Sequence, residues 1–110
     1  MALNPSVKGS LYSNLAGRIV GNLESGDLSG NSAYNDMGTN NGAAFPTGSG
    51  LTHVNGQSLT AANAKLQTTY SGKGWGFGSS DAWKWGDSSY PLPVLRWQTS
   101  YPTLPTHLLQ

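Results

Sequence analysis

The chain has no cysteine, few charged residues and no long apolar run, and each absence excludes a class of protein. Without cysteine there are no disulfide bonds, thiolate zinc ligands or thiol nucleophiles, so the fold must rest on packing. Charged residues are 10% of the 110 residues and the net charge is +1. Because the two signs are interspersed, we expect no nucleic-acid partner. No window approaches the roughly 20 apolar residues of a membrane helix, so we expect no membrane insertion.

Small polar residues and aromatic residues dominate instead. The chain has 15 Gly, accompanied by many Ser, Thr and Asn, and these residues favour turns over long helices. Four Trp, five Tyr and two Phe supply the apolar surface for one modest core. This balance predicts an all-β fold, mainly β with one short helix near residues 60–69.

Strand signals are concentrated at both ends of the chain. The clearest strand signal covers residues 15–23, where Ile19 and Val20 lie between glycines. A weaker strand with a bend is predicted for residues 28–37, and a final strand for residues 94–97. The intervening segment, residues 38–57, is rich in Gly and Asn and is predicted to be a loop or a loosely paired hairpin.

All four tryptophans lie in the last third of the chain. In Trp83-Lys84-Trp85 the two indoles are predicted to point to the same side of one strand. We expect the rings of the four tryptophans to meet in the interior. The predicted organisation is an N-terminal arm (1–14), a single β-rich domain (15–98) and a C-terminal tail (99–110), with the domain divided into a repeat-like unit (15–37), a loop (38–57) and a short helix with a Trp-rich cap (58–98).

Several motifs in this order resemble a known family. The chain has Gly-Arg-Ile-Val-Gly at residues 17–21, followed by an Asn-rich stretch ending in Tyr34 and Met37. The later motifs are Leu-Thr-Ala-Ala at 59–62, Gly-Trp-Gly-Phe at 74–77, Trp-Lys-Trp at 83–85 and Tyr-Pro-Leu-Pro-Val-Leu-Arg-Trp at 90–97. Their order and spacing over about residues 15–98 resemble the closing segment of GLUG-motif repeat proteins. These are exported, adhesin-like surface proteins of Bacteroides-type gut bacteria and other bacteria.

The resemblance implies a location and a modular role. It implies the terminal part of a β-solenoid-like repeat with an aromatic cap, in a larger protein at the cell surface or outside the cell. It implies no catalytic residue, because the family's motif is structural, and we expect a non-catalytic structural or adhesive module. The family's repeats occur in tandem, whereas only one repeat-like unit is visible in this sequence. A host or bacterial surface protein or glycan is the expected partner, and self-association is expected through an exposed strand edge.

Two other functions stay open at this stage. A small carbohydrate-binding module would use Trp75, Trp83, Trp85 and Tyr90, since flat rings stack on sugar rings. A fragment of a glycan-degrading enzyme would need two carboxylates facing each other, and Asp81 and Asp87 flank the Trp83 region. Turns in which each carboxylate accepts hydrogen bonds from nearby amides are the simpler interpretation.

Metal and cofactor chemistry has little support in the sequence. The two histidines, His53 and His107, have no second ligand at a suitable spacing. The glycines of residues 72–78 lack the ending of a phosphate-binding loop. We therefore expect neither a metal nor a cofactor.

Overall fold

The computed structural model describes residues 1–8, 17–19, 25–40 and 45–110. These residues form two compact units, unit 1 (Met1–Thr60) and unit 2 (Ala61–Gln110), where the sequence predicted one domain over residues 15–98. The regular elements of the described chain are mostly strands, as predicted, with only two short α-helices. Its elements are β1 (Ser6–Lys8), β2 (Ser32–Tyr34), β3 (Gly38–Asn40), β4 (Gln57–Leu59), α1 (Ala61–Ala64), α2 (Gln67–Ser71), β5 (Trp83–Trp85), β6 (Pro93–Leu95) and a 3₁₀ helix (Thr106–Leu108).

Unit 1 is built on a parallel ladder with β2 in its middle. β2 pairs with β4 in parallel, with Ala33 opposite Ser58, and Ala2 forms a parallel bridge to Ala33 on the other side. The amide of Tyr34 donates to the carbonyl oxygen of Ala2 at 2.8 Å. All three residues of β2 are buried, as expected for a strand that is paired on both edges.

A second parallel pair joins β1 to β3, with Val7 opposite Thr39. Residues 2 and 6–8 belong to the predicted N-terminal arm, and the structure pairs them with residues 33 and 38–40. The segment of residues 38–57 was predicted to be a loop or a loosely paired hairpin, and its first three residues form a parallel strand instead. Parallel pairing joins residues far apart in sequence, so no local turn signal announces it.

The guanidinium of Arg18 connects several segments of unit 1. Its Nε donates to the carbonyl oxygen of Asn55 at 3.0 Å, and Nη1 donates to the carbonyl oxygen of Tyr34 at 3.1 Å. Its Nη2 donates to the carbonyl oxygen of Gly56 at 3.2 Å and to the hydroxyl of Ser58 at 3.1 Å. Partial burial lowers the pKa of Arg18 from its usual value through desolvation.

The Asn55-Gly56 dipeptide forms a turn that only glycine fits well. Gly56 has φ +66° and donates its amide to the carbonyl oxygen of His53 at 2.8 Å. A Cβ at this position would lie 2.9 Å from Cγ1 of Ile19 and 3.3 Å from the backbone of Asn31. The buried amide group of Asn55 donates to the carbonyl oxygens of Pro46 and Gly48, at 2.6 and 2.8 Å. The side chain of Asn55 therefore holds the loop that precedes this turn.

Of the two strands predicted before residue 40, the structure confirms the weaker one and contradicts the stronger one where it is described. The weak strand predicted within residues 28–37 is confirmed as β2. The stronger prediction, residues 15–23, is wrong for the three residues that are described, because Gly17, Arg18 and Ile19 lie in no strand. The rest of that prediction lies outside the described residues.

The single helix predicted near residues 60–69 is two helices, α1 and α2, separated by an extended Leu66 (φ −104°, ψ 123°). The hydroxyl of Thr69 donates to the carbonyl oxygen of Asn63 at 2.7 Å, and that of Tyr70 donates to Ala64 at 2.7 Å. In a continuous helix these carbonyls would accept amides four residues on. Side-chain hydroxyls take those places, so the backbone turns between the helices.

The C-terminal tail, residues 99–110, is fixed to unit 2. Leu104 and Leu108 are buried, and the 3₁₀ helix packs against α1. The ammonium of Lys65, next to α1, donates to the carbonyl oxygen of Gln110 at 2.8 Å. Two buried leucines thus make the tail part of the core of unit 2.

Candidate functional site: the aromatic hairpin of unit 2

The candidate site is built on the antiparallel pair β5 and β6. Lys84 lies opposite Val94, flanked by the pairs Trp83 with Leu95 and Trp85 with Pro93. Since successive side chains alternate between the two faces of a strand, Trp83 and Trp85 share one face and Lys84 lies on the other. We call these the tryptophan face and the lysine face of the hairpin.

On the tryptophan face the rings pack around Tyr70, which is 1% exposed. Its ring centroid lies 5.5 Å from that of Trp75 and 5.6 Å from that of Trp85. Trp75 also contacts Trp83, with centroids 4.9 Å apart, and Phe77 meets Trp85 edge-on at 5.8 Å. These are the tilted and edge-to-face geometries that aromatic rings favour in packed cores.

Tyr70 is the buried centre of this cluster. Its hydroxyl donates to the carbonyl oxygen of Ala64, so the polar end of the ring has a partner inside. Burial raises the pKa of Tyr70 to about 12, and the nearby Tyr90 acts in the same direction.

On the lysine face, two tyrosines and the lysine form a second group. The rings of Tyr90 and Tyr101 stack, with centroids 6.0 Å apart and an interplanar angle of 22°. Nζ of Lys84 lies 5.8 Å from the centroid of the Tyr101 ring, within the range of a cation–π contact. Val94 and Leu104, both buried, belong to the same unit.

Arg96 fixes the backbone that leads into β5. Its Nε donates to the carbonyl oxygen of Asp81 at 2.5 Å, and Nη2 donates to the carbonyl oxygens of Trp83 at 2.7 Å and Phe77 at 3.4 Å. Nη2 also donates to the carbonyl oxygen of Gly78. The guanidinium thus satisfies backbone acceptors at both ends of the segment between residues 77 and 83.

The two carboxylates of this region each belong to a local turn, as the simpler interpretation predicted. Oδ2 of Asp81 accepts a hydrogen bond from the amide of Gly78 at 2.6 Å. Oδ1 of Asp87 accepts from the hydroxyl and the amide of Ser89, at 2.6 and 2.9 Å, and from the amide of Tyr90 at 3.0 Å. These bonds, first that of the Ser89 hydroxyl, lower the pKa of Asp87.

A cavity of about 350 Å³ opens in unit 2 beside Tyr101. Its walls are formed by the loop after β5 and by the C-terminal segment. They combine apolar side chains with hydroxyl groups, and the lining residues are Ser89, Tyr101, Pro102, Thr103, Leu104 and Leu109.

The structure separates the residues that the sequence grouped. Trp75, Trp83 and Trp85 come together on the tryptophan face, each half-buried, whereas Tyr90 stacks on Tyr101 of the lysine group. The expectation that all four indoles meet inside is wrong for Trp97, which is 77% exposed. The predicted final strand, residues 94–97, ends at residue 95, and the turn that follows carries Trp97 outward.

Four positions of the candidate site were not singled out from the sequence: Tyr70, Lys84, Arg96 and Tyr101. The alternation of side chains that predicts Trp83 and Trp85 on one face of the strand also predicts Lys84 on the opposite face. The position of Lys84 could therefore have been predicted in the same way. The partners of Arg96 are backbone carbonyls, which carry no residue signature.

The described ranges contain no helix that is both long and apolar enough to cross a membrane. Nor do these ranges bring three or more His, Cys, Asp or Glu side chains together in a way that suits a metal ion.

The chain matches no protein-family model, no curated protein and no solved structure.

Proposed function

We propose that the chain is a non-catalytic structural module at the end of an exported bacterial repeat protein, as its resemblance to GLUG-motif proteins implies. The observation that carries the proposal is the parallel ladder through Ala2, Ala33 and Ser58, three rungs separated by about 25 to 31 residues along the chain. Parallel rungs at such spacing are typical of coiled β-solenoid repeats.

The strands that form the rungs of this ladder are short. β2 and β4 have three residues each, which is too little to bury an apolar face in isolation. Ala2 pairs with Ala33 in the first ladder, and Val7 pairs with Thr39 in the second. Val7 comes after Ala2 and Thr39 comes after Ala33, so the same two stretches of chain meet in the same order in both ladders. A chain that returns to the same two ladders gains stability by stacking further coils.

The tryptophan face supports a closing role for unit 2. Trp75 and Trp85 pack on the buried Tyr70, and Trp83 packs on Trp75, which favours interior filling over display. An array of parallel coils needs a terminal segment that pairs no further strands, because open strand edges promote aggregation. The module would sit at the cell surface or outside the cell, where it contributes to adhesion to a host or bacterial protein or glycan.

Carbohydrate binding by the same indoles is the second candidate. Trp75, Trp83 and Trp85 are only half-buried, so part of each ring remains accessible for stacking on a sugar. Glycan hydrolysis is not carried forward, because Asp81 and Asp87 are each engaged in their own turns.

The structural proposal is tested by fusing the full chain to the C-terminal end of an array of tandem GLUG-motif repeats. The same array fused to an unrelated helical domain of similar size serves as the control. We expect the array with this chain to be monomeric by light scattering and the control to self-associate, both with the circular dichroism of folded β-sheet. Equal self-association of the two fusions would contradict the proposal.

A further inference from the structure

The cavity beside Tyr101 has the composition of a small-ligand site. Its volume of about 350 Å³ lies at the lower end of the range of ligand pockets, about 300 to 1,000 Å³. Leu104, Leu109 and Pro102 supply apolar surface, and Leu109 remains 61% exposed although it is a large apolar residue. Apolar side chains of this kind form most of the wall in small-molecule pockets.

Hydroxyl groups line the same cavity. Thr103 is exposed, and Ser89 uses its hydroxyl proton to donate to Oδ1 of Asp87. The Ser89 oxygen therefore keeps its lone pairs for a donor from a ligand. An apolar wall with a few hydroxyls is suited to a ligand that has one apolar face and several hydroxyls of its own.

Lys84, on the lysine face of the hairpin, places a positive charge near this cavity. Its ammonium lies 5.8 Å from the centroid of Tyr101, which forms part of the cavity wall. Lys84 is half-buried, and within the described ranges its ammonium contacts that ring and forms no ion pair. A cation–π contact leaves the positive charge of the ammonium without a counter-charge, so an anion at this point would be favourable.

We propose that this cavity binds a carboxylated sugar, such as a uronic acid residue of an acidic polysaccharide. The apolar face of the sugar ring packs against Leu104, Leu109 and Tyr101, its hydroxyls bond to Ser89 and Thr103, and its carboxylate pairs with Lys84. The ligand class follows from combining a ring-sized apolar wall, neutral hydroxyls and one unpaired cation. This site is separate from the tryptophan face and goes beyond the structural role proposed above.

The test is a set of titrations of the full, ¹⁵N-labelled chain by NMR at constant ionic strength. Galacturonate is the probe, galactose is the neutral control with the same ring, and acetate is the control that has a carboxylate without a ring. We expect galacturonate to shift the amides of Ser89, Thr103, Leu104 and Leu109, and to bind at least about 10-fold more tightly than galactose. No shift at these amides, equal binding of galactose, or the same shifts with acetate would each overturn the proposal.

Variants of Lys84 test the charge. We expect Lys84→Gln to reduce galacturonate binding to the level of galactose, and Lys84→Arg to retain the preference for the acid. Lys73→Gln removes an equal charge in the turn after α2 and should leave the preference unchanged. A Lys84→Gln protein that still prefers galacturonate would overturn the proposal. If this variant fails to fold, the titrations of the unmodified chain and of Lys84→Arg decide.

Discussion

The guanidinium of Arg96, in the turn after β6, hydrogen-bonds to the carbonyl oxygen of Asp81, which lies 15 residues earlier in the chain. The same side chain donates to the carbonyl oxygens of Phe77, Gly78 and Trp83. Four backbone acceptors, three in the irregular segment before β5 and one in the first residue of β5, thus depend on one planar donor group. Lysine carries the same charge but cannot reproduce the fixed spacing of these donors.

We therefore expect Arg96→Lys to lower the free energy of unfolding by about 1 to 3 kcal/mol, because charged hydrogen bonds are lost and carbonyls are left without partners. Urea unfolding followed by tryptophan fluorescence measures the change. Gln98→Ala, which removes an exposed hydrogen bond to the carbonyl oxygen of Ser100, is the control and should cost less than about 0.5 kcal/mol. Equal stability of Arg96→Lys and the unmodified chain would show that the donors contribute little.

The four tryptophans should differ in their contribution to stability. We expect Trp85→Ala to cost at least about 2 kcal/mol, because its ring contacts Tyr70 and Phe77. Trp97→Ala removes a ring that is 77% exposed and should change stability by less than about 0.5 kcal/mol. The emission spectrum should lose its long-wavelength component in Trp97→Ala only. Equal destabilisation by both substitutions would contradict the packing of the tryptophan face.

Stability should depend on alkaline pH through Tyr70. Its pKa is about 12 in the folded state against 10.0 for a free tyrosine, so the unfolded chain loses this proton first. The contribution of neutral, buried Tyr70 is complete below pH 10 and is lost as pH rises from 10 to about 12.

Tyr70→Phe provides the matched control for this pH dependence. At neutral pH the variant should be less stable by about 1 kcal/mol, because the hydrogen bond to Ala64 is lost. As pH rises above 10, the difference in urea midpoint between the two proteins should shrink and then reverse. Parallel pH profiles would mean that Tyr70 titrates as an ordinary exposed phenol.

Local patterns predicted the parts of the structure that depend on neighbouring residues. Alternation along a strand placed Trp83 and Trp85 on one face, and turn chemistry correctly placed Asp81 and Asp87 in turns. The break after α1 was not predictable from periodicity, because it depends on hydroxyls that take backbone acceptors.

Local sequence patterns could not predict the long-range contacts of unit 1. The ladder through Ala2, Ala33 and Ser58 joins parallel strands that are far apart along the chain, and a tight hairpin turn cannot set the register of such strands. Arg18 was noted only as part of a strand motif, whereas its guanidinium bonds to carbonyls of residues 34, 55 and 56. Every residue type carries a backbone carbonyl, so the sequence does not indicate which carbonyls an arginine will bind.

Gly86 should be the least replaceable glycine in unit 2. A Cβ at this position would lie 2.0 Å from the carbonyl oxygen of Tyr90 and 3.0 Å from that of Leu92, whose carbonyl also accepts the amide of Gly86 at 3.0 Å. Both contacts are with backbone of the same closed loop, so no side chain can move aside. We expect Gly86→Ala to cost at least about 2 kcal/mol in urea unfolding and to disrupt the β5–β6 pairing.

The matched control is Gly38→Ala in unit 1, where the new Cβ would have ordinary contact with the carbonyl oxygen of Pro5 at 4.0 Å. This substitution should leave stability within about 0.5 kcal/mol or raise it slightly, because alanine restricts the unfolded chain. Amide exchange locates the effect: protection of β5 and β6 should fall in Gly86→Ala and remain in Gly38→Ala. If Gly86→Ala keeps that protection, the loop must tolerate a separation of Gly86 from Tyr90, and the close approach of the two residues is not a requirement of the hairpin.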